Sequence, residues 1–262
     1  MFHTELVHTH LDWFETDMWL ESAESIVRLA WMGGRLVGVM GASRPLNDSS
    51  WIRFVAIMPN ADPPRILRLL WDTLRTDLQA AQVTMVGVLG ISDWMQRNAS
   101  DLGFRYQEDI VTLERRGGVL PAAPDSPATV RVSDVRDLPH ILRVDGAAFV
   151  PPWQLSAEEL RYAFRMASSC TVALVDDAIV GYQLSTLYFD GAHLARLAVL
   201  PHLQGQRVGA VLLHDLLTRF VRRSIHLMSV NTQASNRRSR DLYTRFGFQT
   251  NGYDLPYFRA DL

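Results

Sequence analysis

Two halves of this chain echo each other at matching intervals, and that repetition constrains its fold more than any other feature. Gly34-Arg35-Leu36-Val37-Gly38-Val39 resembles Asp177-Ala178-Ile179-Val180-Gly181-Tyr182. Arg53-Phe54-Val55-Ala56-Ile57-Met58-Pro59 resembles Ala195-Arg196-Leu197-Ala198-Val199-Leu200-Pro201, and Leu102-Gly103-Phe104 resembles Phe246-Gly247-Phe248. Between the last two pairs the first half offers a helical pattern over 65–80 and an apolar strand over 83–89. Ordered self-similarity of this kind is the mark of one structural plan used twice. Residues 117–127, rich in Gly, Pro and Ala and without periodicity, read as a linker. The expected division is therefore 1–116 and 128–262.

The second half parses further. Thr129-Val130-Arg131-Val132 is a short strand, and Ser133 or Asp134 can cap a helix running toward Phe149. Ser156-Ala157-Glu158-Glu159 has the spacing of a capping box opening a second helix. Strands at 171–175 and 179–188 meet at Asp176-Asp177 as a hairpin. A strand at 192–200, a helix at 208–222, a strand at 225–230 and a helix at 235–246 follow. The fold class expected for each half is α/β (α+β), a mixed, mostly antiparallel sheet flanked by helices.

Between strand 192–200 and helix 208–222 lies Gln204-Gly205-Gln206-Arg207-Val208-Gly209-Ala210. A glycine-bearing turn from strand to helix N-terminus aims backbone N–H groups at one spot, and the helix dipole favours negative charge there. Downstream, Asn236 and Tyr243 precede Phe246-Gly247-Phe248. This loop, with Asn236, Tyr243 and the Gly-Phe pair in order, resembles the GNAT N-acetyltransferase superfamily from about residue 128 onward. The second half is also similar to the ribosomal-protein N-terminal alanine acetyltransferases, through Ala148-Phe149-Val150-Pro151-Pro152-Trp153 ahead of the capping box.

The resemblance implies acetyl-coenzyme A as cosubstrate, with no metal, and direct transfer of acetyl to an amine. Gln204 to Ala210 would hold the pyrophosphate, the backbone of Leu197, Ala198 and Val199 the pantetheine arm, and Asn236 would bond to the cofactor. Tyr243 would be the general acid. Arg207 stands where the pattern prefers Gly, so a position requiring positive φ would strain it. The base is open. The alanine acetyltransferases carry a glutamate where this chain has Asn231, which cannot accept a proton, leaving His193, Asp190 or a water held by Asn231.

That loss bears on the acceptor. An α-amine with pKa near 7.8 is about one-third neutral at pH 7.5, whereas a lysine is about 0.1% neutral. A peptide or protein N-terminus is the leading acceptor. A small-molecule amine (metabolite or amino sugar) and a non-catalytic acyl-coenzyme A binding module stay open. The first half has Pro63-Pro64 where Gly205-Gln206 stand in the second, and Ala99 where Tyr243 stands, so it is expected to be non-catalytic.

Composition narrows the classes. A net charge of −2 gives no basic surface for nucleic acid. The single cysteine, Cys170, excludes an intrachain disulfide and a Cys-rich metal site, and His8-Thr9-His10 shows no third ligand. No signal peptide and no membrane span is legible, so no membrane partner is expected and the expected location is cytoplasmic.

Overall fold

The computed structural model describes residues 6–11, 13, 16–21, 25–189 and 191–262. The chain forms two compact units, one of residues 1–109 and 255–262, the other of 110–254. The first contains β1 (Val7–Thr9), α1 (Thr16–Glu21), β2 (Ser25–Met32), β3 (Arg35–Ser43), β4 (Ser49–Ile57), α2 (Pro63–Ala80), β5 (Met85–Leu89) and α3 (Asp93–Ala99). β6 (Arg105–Arg116) follows, with residues 110–116 in the second unit. The second continues with β7 (Thr129–Val132), α4 (Leu138–Ala148), α5 (Ala157–Met166), β8 (Ser169–Val175), β9 (Ala178–Leu187), β10 (Ala192–Val199), α6 (Val208–Val221), β11 (Leu227–Gln233), α7 (Arg237–Arg245) and β12 (Gln249–Thr250). β13 (Leu255–Asp261) returns to the first.

Each unit is a mixed α/β sheet. In the first, β2, β3 and β4 are antiparallel neighbours, β4 pairs in parallel with β5, and β13 lies antiparallel on β5. In the second the order is β7-β8-β9-β10-β11-β6, with only β10 and β11 parallel. The division differs from a contiguous cut at 117–127 by one strand each way: β6 is the neighbour of β11, and β13 the neighbour of β5.

The duplication is visible in backbone conformation. The β2–β3 hairpin turns through Gly33 and Gly34 and the β8–β9 hairpin through Asp176 and Asp177, all at positive φ, as the twist of a two-residue hairpin turn demands. β4 shifts register at Arg53 and β10 at Ala195. Gly103 (φ 87°) and Gly247 (φ 85°) end the last helix of each unit. Phe104 N–H donates to Ala99 O, and Phe248 N–H to Tyr243 O, both at 3.0 Å. These left-handed caps are the reason for the repeated Gly-Phe.

Packing follows the apolar stripes. Ile66, Leu67, Leu70, Trp71, Leu74 and Leu78 of α2 are buried at helical spacing in the first core. Leu213, Leu216, Leu217 and Phe220 of α6 join Leu194, Met228, Val230, Tyr243 and Phe248 in the second. The expected capping box is present: Glu159 N–H donates to Ser156 Oγ at 3.0 Å, and Ser156 N–H to Glu159 Oε2 at 2.8 Å. Asp134, not Ser133, caps the turn leading into α4, accepting from Arg136 N–H at 2.7 Å. Among the described residues no helix is long and apolar enough to cross a membrane, and no group of three or more His, Cys, Asp or Glu side chains gathers as metal ligands.

Candidate functional site

β10 and β11 pair only through Ala192↔Met228, His193↔Ser229 and Leu194↔Val230. Ala195 then interrupts the register of β10 against β9, and β10 runs on with β9 alone to Val199. Among the described residues no strand covers the other edge of 195–199. The result is a V-shaped opening between two strands, lined on one arm by the backbone of Leu197, Ala198 and Val199.

The loop caps the end of that arm. Pro201–Leu203 form a 3-10 turn, Gly205 takes φ 88°, and Arg207, at φ 61° and ψ 11°, is the N-cap of α6. The left-handed position thus falls on Arg207, where the family pattern prefers Gly, and carries the strain expected of it. The first bond of α6 runs from Val211 N–H to Arg207 O at 3.0 Å. The amides of Val208, Gly209 and Ala210 are left to another acceptor. A Cβ on Gly205 would meet nothing within 4 Å, so the loop is open at that position. Gln204 donates from Nε2 to Val199 O at 3.0 Å and accepts from Arg238 Nη1. Amides at a helix start beside exposed Arg207 and Arg238 fit a polyanion.

On the other arm, Asn236 is the N-cap of α7, its Oδ1 accepting from Ser239 N–H at 3.2 Å. Tyr243, 5% exposed, packs against Phe248 at a ring separation of 5.6 Å. Burial pushes its phenol well above the ordinary value, so it stays protonated at every working pH. Tyr243 shares its core with Leu194, Met228 and Val230. Because strand side chains alternate, His193, Ser229 and Asn231 occupy the opposite face of the sheet. Loop, Asn236 and Tyr243 are therefore grouped on one side of the opening, and His193 with Asn231 on the other.

His193 Nδ1 lies 2.9 Å from Ser229 Oγ, and burial lowers its pKa to about 4. Such an imidazole is neutral near pH 7 but a poor acceptor for the proton of an α-ammonium, by about 10⁴ in equilibrium. Asn231 sits on β11 opposite Thr112. Asp190 lies outside the described residues. Sequence reasoning passed over Glu114, the carboxylate paired in register with Ser229, because it belongs to the first half of the chain. It is engaged by Arg116 Nε at 2.6 Å.

A buried ion pair was also missed. Arg196 donates from Nε and Nη2 to Asp145 Oδ2 at 3.0 and 2.7 Å, and from Nη2 to Trp153 O at 2.6 Å. Its guanidinium lies 4.0 Å from the Phe149 ring centroid. Asp145, fully buried, also accepts from Tyr182 Oη and, at 2.8 Å, from Leu155 N–H. One cluster thus ties the 149–155 segment to the strand that lines the opening. The signal was present as one acid in the apolar stripe of α4 and one base in the apolar run of β10.

In the first unit, Pro63 and Pro64 stand at the first two positions of α2, after a left-handed N-cap at Asp62 (φ 56°). Asp62 therefore corresponds to Arg207, and the prolines to Val208-Gly209 rather than to Gly205-Gln206 as the sequence alignment suggested. The loop before them is shorter. Donors are still lost, at the helix start itself.

Residues 138–248 match the Acetyltransferase (GNAT) family. No curated protein matches the chain. Among solved structures, a tandem GNAT protein from the clavulanic acid biosynthesis pathway is 16% identical, with 91% of this chain and 84% of that one covered at a TM-score of 0.59. A GCN5-related N-acetyltransferase from Sphaerobacter thermophilus is 17% identical, over 94% and 84%, at 0.62. A glucosamine N-acetyltransferase region of a fungal multi-domain β-N-acetylglucosaminidase is 13% identical, over 91% and 33%, at 0.66. These similarities show the tandem fold over most of the chain. The family match over 138–248 lies within the second unit, so it is that unit, not the first, that is similar in sequence to the GNAT acetyltransferases.

Proposed function

We propose that the second unit transfers acetyl from acetyl-coenzyme A directly to the α-amine of a peptide or protein N-terminus, while the first unit is non-catalytic. The carrying observation is the V-shaped opening at β10–β11, with helix-start amides at one end and a buried, protonated tyrosine along one arm. In this reading the amides of Val208 to Ala210 with Arg207 bind the pyrophosphate, the edge of Leu197 to Val199 aligns the pantetheine arm, and Asn236 bonds to it. The neutral amine forms the new N–C bond as the C–S bond breaks. Tyr243 Oη gives its proton to sulfur and regains one from water, which takes up the surplus amine proton, so the phenol is restored. A desolvated thiolate holds protons more tightly than one in water, which brings its demand toward what a buried phenol can meet.

The α-amine is favoured because Asn231 accepts no proton and burial drives His193 to about 4. An amine already partly neutral near pH 7.5 suits such a site. The segment 149–155, fixed by Arg196, supports an ordered acceptor-binding edge. One observation favours a small-molecule amine instead. After the two-residue β12, β13 lies in the first unit, so the second lacks the final hairpin that walls a peptide groove in the alanine acetyltransferases.

A thiol-release assay at pH 7.5 should give at least tenfold higher kcat/KM for peptides with a free N-terminus than for Nα-blocked lysine peptides or glucosamine. Equal or better turnover of the amino sugar would overturn the peptide reading. The cofactor loop is tested separately. A Cβ at Gly209 meets only Leu242 and Val199, at 3.5 and 3.7 Å, so Gly209→Ala should keep coenzyme A affinity. Gly209→Asp places a carboxylate at the helix start, where folding tolerates it but the pyrophosphate does not. Calorimetry should show at least a tenfold loss of affinity with an unchanged melting temperature.

A further inference from the structure

The first unit has the same V, and its own chain fills it. β4 and β5 pair only over Ser49–Trp51 opposite Met85–Gly87 and then part. The register shifts at Arg53 and Ala195 align the two units, so that Val55, Ala56 and Ile57 correspond to Leu197, Ala198 and Val199. Ser92, the N-cap of α3, corresponds to Asn236, each at the same interval before the left-handed glycine.

β1 lies on that arm. Val7 pairs with Ala56, His8 with Val55 and Thr9 with Phe54. Ile57 N–H donates to Leu6 O at 3.1 Å and His10 N–H to Arg53 O at 2.8 Å. On the far edge, Val7 O accepts from Ser92 Oγ at 2.9 Å and from Trp94 Nε1 at 3.0 Å. The strand is bonded to β4 on one edge and to the start of α3 on the other, and His8 at its centre is fully buried. A pantetheine arm is itself an extended chain with two amides, so a peptide strand can satisfy the same backbone groups. At the other end of the groove, Pro63 and Pro64 withhold amides and Asp62 brings a carboxylate where Arg207 stands in the second unit.

We propose that Leu6–His10 is a built-in ligand of the first unit, an extended peptide seated in the groove that its counterpart keeps open, so that this unit binds a strand-forming peptide and not acyl-coenzyme A. The comparison with pantetheine rests on the reading of the second unit as an acetyl-coenzyme A site; the seating of the peptide does not.

Removal of residues 1–10 should lower the melting temperature by at least about 5 °C. A synthetic peptide of residues 1–11 should then bind one to one and restore the melting temperature with rising concentration. The same peptide carrying His8→Asp should bind at least tenfold more weakly. A folded truncation that melts like the full chain, or that ignores the peptide, would overturn the proposal. Hydrogen exchange on the intact protein gives an independent check should the truncation not fold. The Ile57 amide should be protected without ligand, and the Val199 amide protected only when coenzyme A is added; an Ile57 amide that exchanges freely would refute the seating. Calorimetry on the intact protein should find one coenzyme A per chain. Two sites would contradict a sealed first unit, whereas no site with intact peptide binding would overturn the acetyl-coenzyme A reading alone.

Discussion

Replacing Tyr243 by phenylalanine is expected to lower kcat by about 10² to 10⁴, the usual contribution of a positioned proton donor, with little change in acetyl-coenzyme A affinity. The ring contact with Phe248 would persist, and among the described residues the hydroxyl bonds to nothing whose loss would unfold the protein. The melting temperature should stay within a degree or two. A Tyr243→Phe enzyme that keeps its turnover would sink the acid role. The pH profile offers a second test. The phenol is raised by burial, and a group that must be protonated loses activity only as pH climbs through its own pKa. The rate should therefore rise through about pH 8 as an α-amine deprotonates and show no descending limb by about pH 10.

Arg196→Met should destabilise the protein by about 3–5 kcal/mol, the range for leaving one member of a buried ion pair alone. Asp145 has no exposure and Arg196 is 14% exposed, so water cannot replace the lost partner. Tyr182 and Leu155 would still donate to the carboxylate, which favours the lower end. Denaturant titration measures the loss. Arg196→Met combined with Asp145→Leu should cost less than the sum of the two single changes, because the pair is removed together. Additive costs would mean the ion pair contributes nothing as a pair. In the assay, Arg196→Lys should raise the acceptor KM more than it changes kcat. An ammonium cannot make the forked contact to Asp145 while reaching Trp153 O, so the 149–155 segment loosens.

Much of this was legible in the sequence because it depends on local chemistry. Gly103 and Gly247 announce left-handed caps, Ser156 and Glu159 announce a capping box, and the Gln204–Ala210 loop announces a helix start with spare amides. What escaped depends on which distant segment lies alongside. Nothing in Val7-His8-Thr9 shows that it pairs with β4 inside an opening, since three residues carry too little alternation to mark even a strand. Likewise nothing in the sequence of β6 says that β11 is its neighbour. Asp145 and Arg196 were visible as misplaced charges, far apart in sequence, and only folding pairs them. Pro63-Pro64 aligns three positions early because a loop shortened after Pro59 leaves no mark on a sequence aligned through Pro59 and Pro201.

The crossing of β6 and β13 also sets the order in which this protein can be finished during synthesis. Domains made on the ribosome ordinarily close from the N-terminus onward as each is released. Here the β5 edge of the first sheet waits for residues 255–261, which are translated after nearly everything else described in the chain. Until then, Val86 and Val88, fully buried in the finished fold, belong to a strand with one side unpaired. Until that segment emerges, the newborn first half is thus an open-edged intermediate, exposed to strand addition by other chains, and its completion waits on residues made after the whole second unit.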